Sequence, residues 1–161
     1  LELVVECEGK IVGHIIYSKG NIDKSKDETF ITFGPVSVHP KFQRKEIGSK
    51  LIRISMQKAA RLGYSAIFIT GDENYYKRFG FESASKYGIH LEGVPVEDEA
   101  PFFMVKTLKE DALKDIEGKF NLGNACSSGD CTGLIQVEPI TDAELESYYE
   151  IYNFGPPDIS E

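Results

Sequence analysis

Four consecutive segments near the middle of the chain limit the folds that this sequence can adopt. Residues 30–38 form a β-rich run, residues 39–46 form a polar and basic loop, and residues 47–62 place apolar side chains at helical spacing. The short apolar run at 65–70 is typical of a central strand that is buried on both faces. A strand, a helix and a buried strand in this order predict a mixed α/β sheet.

The predicted helix has one apolar face. Ser55 lies in the middle of that face, where a small polar side chain suits close packing, and Leu62-Gly63 is predicted to cap the C-terminus. The apolar residues of the face are Ile47, Leu51, Ile52, Met56, Ala59 and Leu62.

The segments before this unit extend the sheet. Residues 3–7 and 11–17 are β-rich and are separated by Glu8-Gly9-Lys10, which predicts a hairpin with glycine in its turn. Gly34-Pro35 interrupts the third strand, and because proline has no N–H to donate to a ladder, we expect a bulge or a splayed strand there. Residues 21–28 are polar and are predicted to form a surface loop. The further elements that we expect are a short helix at 74–79, strands at 102–108 and 116–121, and a helix at 142–152 capped by Thr141.

Length favours a single domain, and charge divides the chain into two parts. Residues 1–109 carry a formal net charge of +2, whereas residues 110–161 carry −10, which together give the −8 of the whole chain. We predict a core over 1–109 and an acidic extension over 110–161 that packs on the core or trails from it. A partner-binding extension is the alternative to a solvated one.

Composition also limits the partners and the cofactors. An acidic chain disfavours nonspecific nucleic-acid binding, and no apolar run has the length of a membrane helix, so neither nucleic acid nor a membrane is expected as a partner. Three cysteines are too few for a disulfide scaffold, which favours a cytoplasmic location. A zinc site at Cys126 and Cys131 would need further ligands, and the three histidines lie far away in sequence, so we expect no metal.

The stretch 36–49 is the strongest candidate for a binding site. A strand leads through a basic loop into a helix N-terminus, whose unpaired N–H groups and partial positive charge suit a phosphate or a pyrophosphate. Gly48 would let a ligand approach the backbone, and Ser49 adds a hydroxyl donor. Neither the P-loop pattern nor the three-glycine dinucleotide pattern fits, and a solvated basic turn is the alternative.

Two motifs in this order resemble the GNAT superfamily of N-acetyltransferases, in particular its YhbS-like bacterial group. Residues 43–48 resemble the coenzyme-A motif Gln/Arg-x-x-Gly-x-Gly/Ala, and the preceding residues 36–40 resemble the family's strand and its Val-x-Pro exit. Residues 76–81 resemble its Tyr-x-x-x-Gly-Phe signature. The resemblance covers residues 1–109, and more loosely the chain up to Asn121.

This resemblance implies the acyl-CoA N-acyltransferase fold, a mixed and mostly antiparallel sheet with splayed strands and flanking helices. It implies direct transfer of an acetyl group from acetyl-CoA, as co-substrate, to a primary amine of a small molecule or a protein, and it leaves a homodimer open. The coenzyme-binding residues that it implies are Val36, Ser37, Val38, Gln43, Arg44, Lys45, Glu46, Ile47, Gly48 and Ser49.

The sequence departs from the family's pattern in two places. Glu46 replaces the first glycine of the coenzyme motif, where a positive φ is often needed, and its charge is expected to weaken coenzyme binding. The family also begins with a strand and two helices ahead of the hairpin. We expect these elements to be missing here, so that the chain opens partway through the sheet.

The resemblance also assigns catalytic roles. Tyr76 is the candidate acid that protonates the coenzyme thiolate, with Tyr75 as the alternative. The N–H of Val38 is the candidate donor to the thioester oxygen. Lys77 and Arg78 are expected to face either solvent or the coenzyme phosphates.

No general base is evident, because His39 is expected to face solvent and His14 to be a structural residue of the sheet. Two other functions stay open. One is a module that binds CoA or acetyl-CoA with weak or lost catalysis, and the other is an interaction protein that uses the acidic extension.

Overall fold

A computed structural model describes residues 1–26, 29–98 and 100–122 of the chain. Within these ranges the chain forms strands and two α-helices, joined by turns and short 3-10 segments. The helices are α1 (Ile47–Arg61) and α2 (Glu73–Tyr76). The strands are β1 (Glu2–Cys7), β2 (Lys10–Lys19), β3 (Asn21–Ile22), β4 (Phe30–Val38), β5 (Ala66–Thr70), β6 (Glu82–Ser83), β7 (Ile89–Leu91), β8 (Phe103–Thr107) and β9 (Gly118–Asn121).

The described strands form a large and a small sheet. The large sheet has the order β1-β2-β4-β5-β8-β6 and is antiparallel except between β4 and β5, which α1 connects. The small sheet has the order β3-β9-β7. The mixed and mostly antiparallel sheet that the sequence predicts is therefore confirmed.

The hairpin at the start of the sheet is also confirmed. β1 and β2 pair antiparallel, and the two turn residues Glu8 and Gly9 have φ of 51° and 79°. Two consecutive residues with positive φ give a turn whose twist matches that of the flanking strands, and glycine adopts this conformation without steric cost.

The helix α1 packs its apolar face on the large sheet, as its periodicity predicts. Leu51, Ile52, Ser55 and Ala59 are buried, and they share one core with Ile15, Ile31 and Ile67 of the sheet. Leu62 is an exception, because 59% of it is exposed. Its assignment to the buried face was wrong, since the helix ends at Arg61 and Leu62 is the C-cap residue, before Gly63 at φ 92°.

A second core lies between the large sheet and the small sheet. The ring of Phe120 on β9 stacks on Phe68 of β5 with 4.2 Å between centroids, and Phe103 of β8 stacks on the same Phe68 at 5.8 Å. Leu113 and Phe120 are both buried, so residues 110–122 pack on the rest of the fold.

The small sheet corrects one prediction and confirms another. Residues 21–28 were predicted as a surface loop, but Asn21–Ile22 forms β3 and Ile22 is buried against Phe120. The pairing with β9, which lies far along the chain, places the apolar Ile22 in this core. The strand expected at 116–121 is present as β9, and the helix expected at 142–152 lies outside the described residues.

Candidate active site

The large sheet forks between β4 and β5. The parallel pairing of these strands ends at Thr32 and Phe68, although both strands continue. Beyond this point β4 follows only β2, and its residues Gly34 and Pro35, joined by a cis peptide bond, lie opposite the single residue Ile16. Two residues opposite one make a bulge, which bends a strand. The bulge or splay that Gly34-Pro35 predicts is therefore present.

The fork exposes one edge of the last residues of β4. Val36, Ser37 and Val38 pair with β2, and the N–H of His39 donates to the Val12 carbonyl of β2 at 2.9 Å. Because successive amides of a strand alternate between its two edges, the N–H of Val38 points away from β2 and into the fork. The Val38 N–H is therefore not bonded to β2, and its role as the donor to the thioester oxygen stays a prediction.

The loop after β4 is fixed by hydrogen bonds to its own backbone. His39 begins a 3-10 turn and accepts a hydrogen bond at Nδ1 from the Lys41 amide at 3.2 Å. The side chain of Gln43 returns to the strand and donates from Nε2 to the Val38 carbonyl at 3.1 Å. His39 is half-buried, and through its exposed hydrogen bond with the Lys41 amide it shapes the loop.

The helix α1 begins directly after this loop without a side-chain cap. Its N-cap residue Glu46 has a left-handed backbone, with φ 61° and ψ 9°, and Arg44 has φ 59°. The first helical hydrogen bond is donated by Lys50 to the Glu46 carbonyl at 2.9 Å. The amides of Ile47, Gly48 and Ser49 precede that bond, as the first amides of any helix do, and can bind an anion.

A cavity of about 320 Å³ lies at this helix N-terminus. It brings together most of the predicted coenzyme residues, but not Val36, Ser37 and Lys45, and the ammonium of Lys45 lies 5.2 Å from the centroid of the Phe42 ring. The residues that line the cavity are Val38, Phe42, Gln43, Arg44, Glu46, Ile47, Gly48, Ser49, Tyr75 and Arg78.

The opposite wall of the cavity comes from α2 and the 3-10 turn that follows it. Asp72 caps α2 by accepting a hydrogen bond from the Asn74 amide at 2.9 Å. From this short segment Tyr75 and Arg78 reach the cavity, and Arg78 donates from Nη2 to Ser49 Oγ at 3.2 Å. The Tyr-x-x-x-Gly-Phe signature marks this segment, but nothing in the sequence indicates which of its side chains meet α1.

Tyr76 lies at the fork and outside the cavity lining. Its ring lies 6.1 Å from that of Phe33 on β4, between centroids, and 5.8 Å from that of Phe81. It also packs over Gly71, directly after β5, where a Cβ atom would lie 2.6 Å from Cε2 of Tyr76. Burial, with a smaller contribution from Tyr75, raises the pKa of the Tyr76 phenol, which is therefore protonated at neutral pH.

His14 lies on the sheet away from this cavity. Its Nε2 is 2.8 Å from Glu2 Oε1 of β1, a contact within the hairpin. Among residues 1–26, 29–98 and 100–122, His, Cys, Asp and Glu side chains form no group of three that could hold a metal ion, and Cys126 and Cys131 lie outside these ranges. The helices in the same ranges include none that is long and apolar enough to cross a membrane.

Two features together indicate the class of protein: the large sheet splays between β4 and β5, and the N-terminus of α1 lies beside the splay. This architecture is that of the acyl-CoA N-acyltransferases, and known structures of that fold match the described chain. Residues 2–83 match the family described as the acetyltransferase (GNAT) domain, and the chain belongs to this family.

Several relatives are themselves named N-acetyltransferases. The chain is 32% identical over 83 residues to the uncharacterized N-acetyltransferase YjhQ of Escherichia coli K12, covering 51% of this chain and 46% of the relative. It is 26% identical over 116 residues to the uncharacterized N-acetyltransferase YhbS of the same strain, covering 72% of this chain and 67% of YhbS. The chain thus spans about half of YjhQ and about two thirds of YhbS.

Two solved structures have a similar fold and contain a coenzyme. The crystal structure of Escherichia coli YhbS in complex with CoA matches with a TM-score of 0.67 and 25% identity, covering 74% of this chain and 64% of that one. A GNAT family acetyltransferase from Brucella melitensis in complex with acetyl-CoA matches with a TM-score of 0.53 and 29% identity, covering 68% of this chain and 58% of that one.

Proposed function

We propose that this protein is an N-acetyltransferase that moves an acetyl group from acetyl-CoA directly to a primary amine. The observation that carries the proposal is the cavity at the N-terminus of α1, beside the fork between β4 and β5. The coenzyme complexes of YhbS and of the Brucella melitensis relative support the same co-substrate here. The acceptor is a small molecule or a protein that presents an amine.

The pyrophosphate of the coenzyme fits the loop and the first turn of α1. The amides of Ile47, Gly48 and Ser49 can donate to it, and the Arg44 side chain on the cavity wall can offset its charge. A Cβ atom at Gly48 would lie 3.5 Å from Val38 Cγ2 and 4.0 Å from the Tyr75 hydroxyl. Glycine therefore keeps this part of the cavity free for a ligand.

The pantetheine arm and the thioester fit the fork. In our proposal the exposed edge of Val36 to Val38 binds the arm as a further strand would, and the N–H of Val38 donates to the thioester oxygen. A donor aimed at the developing oxyanion stabilises the tetrahedral intermediate more than the ground state.

The acetyl transfer also requires two proton transfers, one from the amine and one to the leaving thiolate. The neutral amine nitrogen forms a bond to the thioester carbon, and the carbon–sulfur bond breaks as the intermediate collapses. The amine releases its proton to water, and Tyr76 gives its phenolic proton to the leaving thiolate. The tyrosinate then regains a proton from water, so that the products are the amide and the free thiol of CoA. The position of Tyr76 at the fork, where its ring lies 6.1 Å from that of Phe33 on β4 between centroids, supports this role.

The experiment that tests the proposal follows thiol release. The protein is incubated with acetyl-CoA and a panel of small amines and amine-bearing peptides, and free CoA is titrated with a thiol reagent. We expect release that depends on one class of amine and exceeds the rate without amine. Binding of acetyl-CoA in a thermal-shift assay, with no turnover on any amine, would contradict the enzyme proposal.

That second result would favour the alternative of a coenzyme-binding module with weak or lost catalysis. Glu46 is the observation behind this alternative, because this acidic residue is among those that line the cavity in which an anionic pyrophosphate would bind. Repulsion there lowers coenzyme affinity in either case. Only turnover distinguishes the two functions.

A further inference from the structure

We propose that Arg78 binds the coenzyme pyrophosphate and thereby offsets the charge of Glu46. This inference rests on the proposed function, since it concerns the same cavity. Arg78 lies outside the Gln43–Gly48 motif that resembles a coenzyme site, and it reaches the cavity from the opposite wall.

The first argument is position. The guanidinium of Arg78 donates to Ser49 Oγ at 3.2 Å, and Ser49 belongs to the first turn of α1. An anion held by the first amides of α1 therefore lies close to this guanidinium. Arginine carries five N–H donors in a planar fork, so the bond to Ser49 leaves capacity for a phosphate oxygen.

The second argument is preorganisation. The guanidinium carbon of Arg78 lies 4.0 Å from the centroid of the Tyr75 ring and 4.9 Å from that of Phe79. Phe79 is buried in the core, and Gly80, at φ 84°, ends the turn directly after it. Contacts with aromatic faces restrict the long side chain, so that less conformational entropy is lost when a phosphate binds.

The third argument is the sign of the charge. The charged residues that line the cavity are Arg44, Glu46 and Arg78. The charges of Arg44 and Glu46 cancel each other, and Arg78 then gives the lining a net positive charge. Lys77, its neighbour on the same turn, does not line the cavity. Of the two basic residues in this turn, Arg78 is thus the one that can meet a phosphate.

The test compares Arg78→Gln with a matched loss of charge at Arg61→Gln. Arg61 is exposed in the last turn of α1, about 20 Å from the helix N-terminus at 1.5 Å per residue, well beyond the Debye length at physiological salt. The probes are CoA and dephospho-CoA, which lacks the 3′-phosphate but keeps the pyrophosphate. Calorimetry gives both affinities, and thermal unfolding checks that each variant is folded.

We expect Arg78→Gln to weaken both ligands about tenfold, as the loss of a charge-assisted hydrogen bond does, and Arg61→Gln to leave both unchanged. The loss of affinity in Arg78→Gln should be smaller in 1 M salt, where the Debye length is about 3 Å, because an exposed charge is then screened. A loss caused by distortion of the fold would persist in salt. Arg78→Lys should lose less affinity than Arg78→Gln, since lysine keeps the charge but not the planar guanidinium. If Arg78→Gln does not fold, the affinity of Arg78→Lys tests the inference instead.

Three outcomes would overturn the inference while the proposed function stands. Unchanged affinity in Arg78→Gln would remove Arg78 from the site. A loss for CoA alone would assign Arg78 to the 3′-phosphate, and an equal loss in Arg61→Gln would indicate a general charge effect. If the unaltered protein binds neither ligand, the proposed function fails, and this inference fails with it.

Discussion

The hydroxyls of Tyr17 and Ser55 lie 2.9 Å apart in the buried interface between β2 and α1. Ser55 Oγ also lies 2.9 Å from the Ile52 carbonyl and donates to it. With the serine proton directed there, the phenol of Tyr17 is the donor to Ser55. The polar serine on the apolar face of α1 thus gives a buried tyrosine its hydrogen-bond partner.

This arrangement predicts an asymmetry between two single variants. Ser55→Ala leaves the Tyr17 O–H buried without an acceptor and should lower the free energy of unfolding by about 1–3 kcal/mol. Tyr17→Phe leaves Ser55 bonded to the Ile52 carbonyl and should cost about 0.5–1.5 kcal/mol. Urea unfolding of both variants measures the difference, and a larger cost for Tyr17→Phe would contradict the assigned direction of the bond.

The raised pKa of Tyr17 predicts that the protein loses stability at high pH. Burial raises the pKa of Tyr17 from its ordinary value of 10.0 to about 12. A raised pKa contributes stability that is complete below pH 10 and is lost as pH rises towards 12, because the unfolded phenol ionises first. The free-energy difference between the unaltered protein and Tyr17→Phe should therefore shift in favour of the variant between pH 10 and 12. A pH-independent difference in urea unfolding would argue against this linkage.

Glu46→Gly should improve both coenzyme binding and stability. The left-handed φ of 61° is strained for glutamate by about 1 kcal/mol and is free of this cost for glycine, so the free energy of unfolding should rise by up to that amount. Loss of this negative charge from a residue that lines the cavity should tighten CoA binding several-fold at low salt. Calorimetry and thermal unfolding measure the two effects.

Glu46→Gln is the matched control for this prediction. It removes the charge and keeps the strained backbone, so it should reproduce the gain in affinity but not the gain in stability. If neither variant binds CoA more tightly, the pyrophosphate is held away from Glu46.

Tyr76→Phe should lower the turnover number by about two orders of magnitude or more, in the usual range for loss of a general acid, and leave acetyl-CoA affinity nearly unchanged. Phenylalanine keeps the ring that packs on Phe33 and Phe81, so the fold should be retained. Tyr75→Phe is the paired variant, because Tyr75 faces the cavity beside Gly48 and should affect binding more than turnover. Steady-state kinetics with each variant separate the two roles, and the reverse pattern would assign the acid to Tyr75.

Local sequence pattern was sufficient for much of the fold. The helical spacing from Ile47 to Ala59 predicted α1 and its buried face, since that spacing follows from 3.6 residues per turn. Glu8-Gly9 predicted the first hairpin and Gly34-Pro35 the bulge of β4. Each of these signals depends on neighbouring residues only.

Local pattern therefore predicts these elements, together with a helix N-terminus after β4 whose amides can bind a phosphate. Long-range packing, in contrast, makes Asn21–Ile22 a strand beside β9 and brings Arg78 and Tyr75 to the first turn of α1. Ser49 and Arg78 are far apart in sequence, and no local propensity encodes which of two exposed cations, Lys77 or Arg78, turns towards Ser49. The packing of Phe79 into the core sets that direction, because burial of one side chain fixes where its neighbours on the same turn can point.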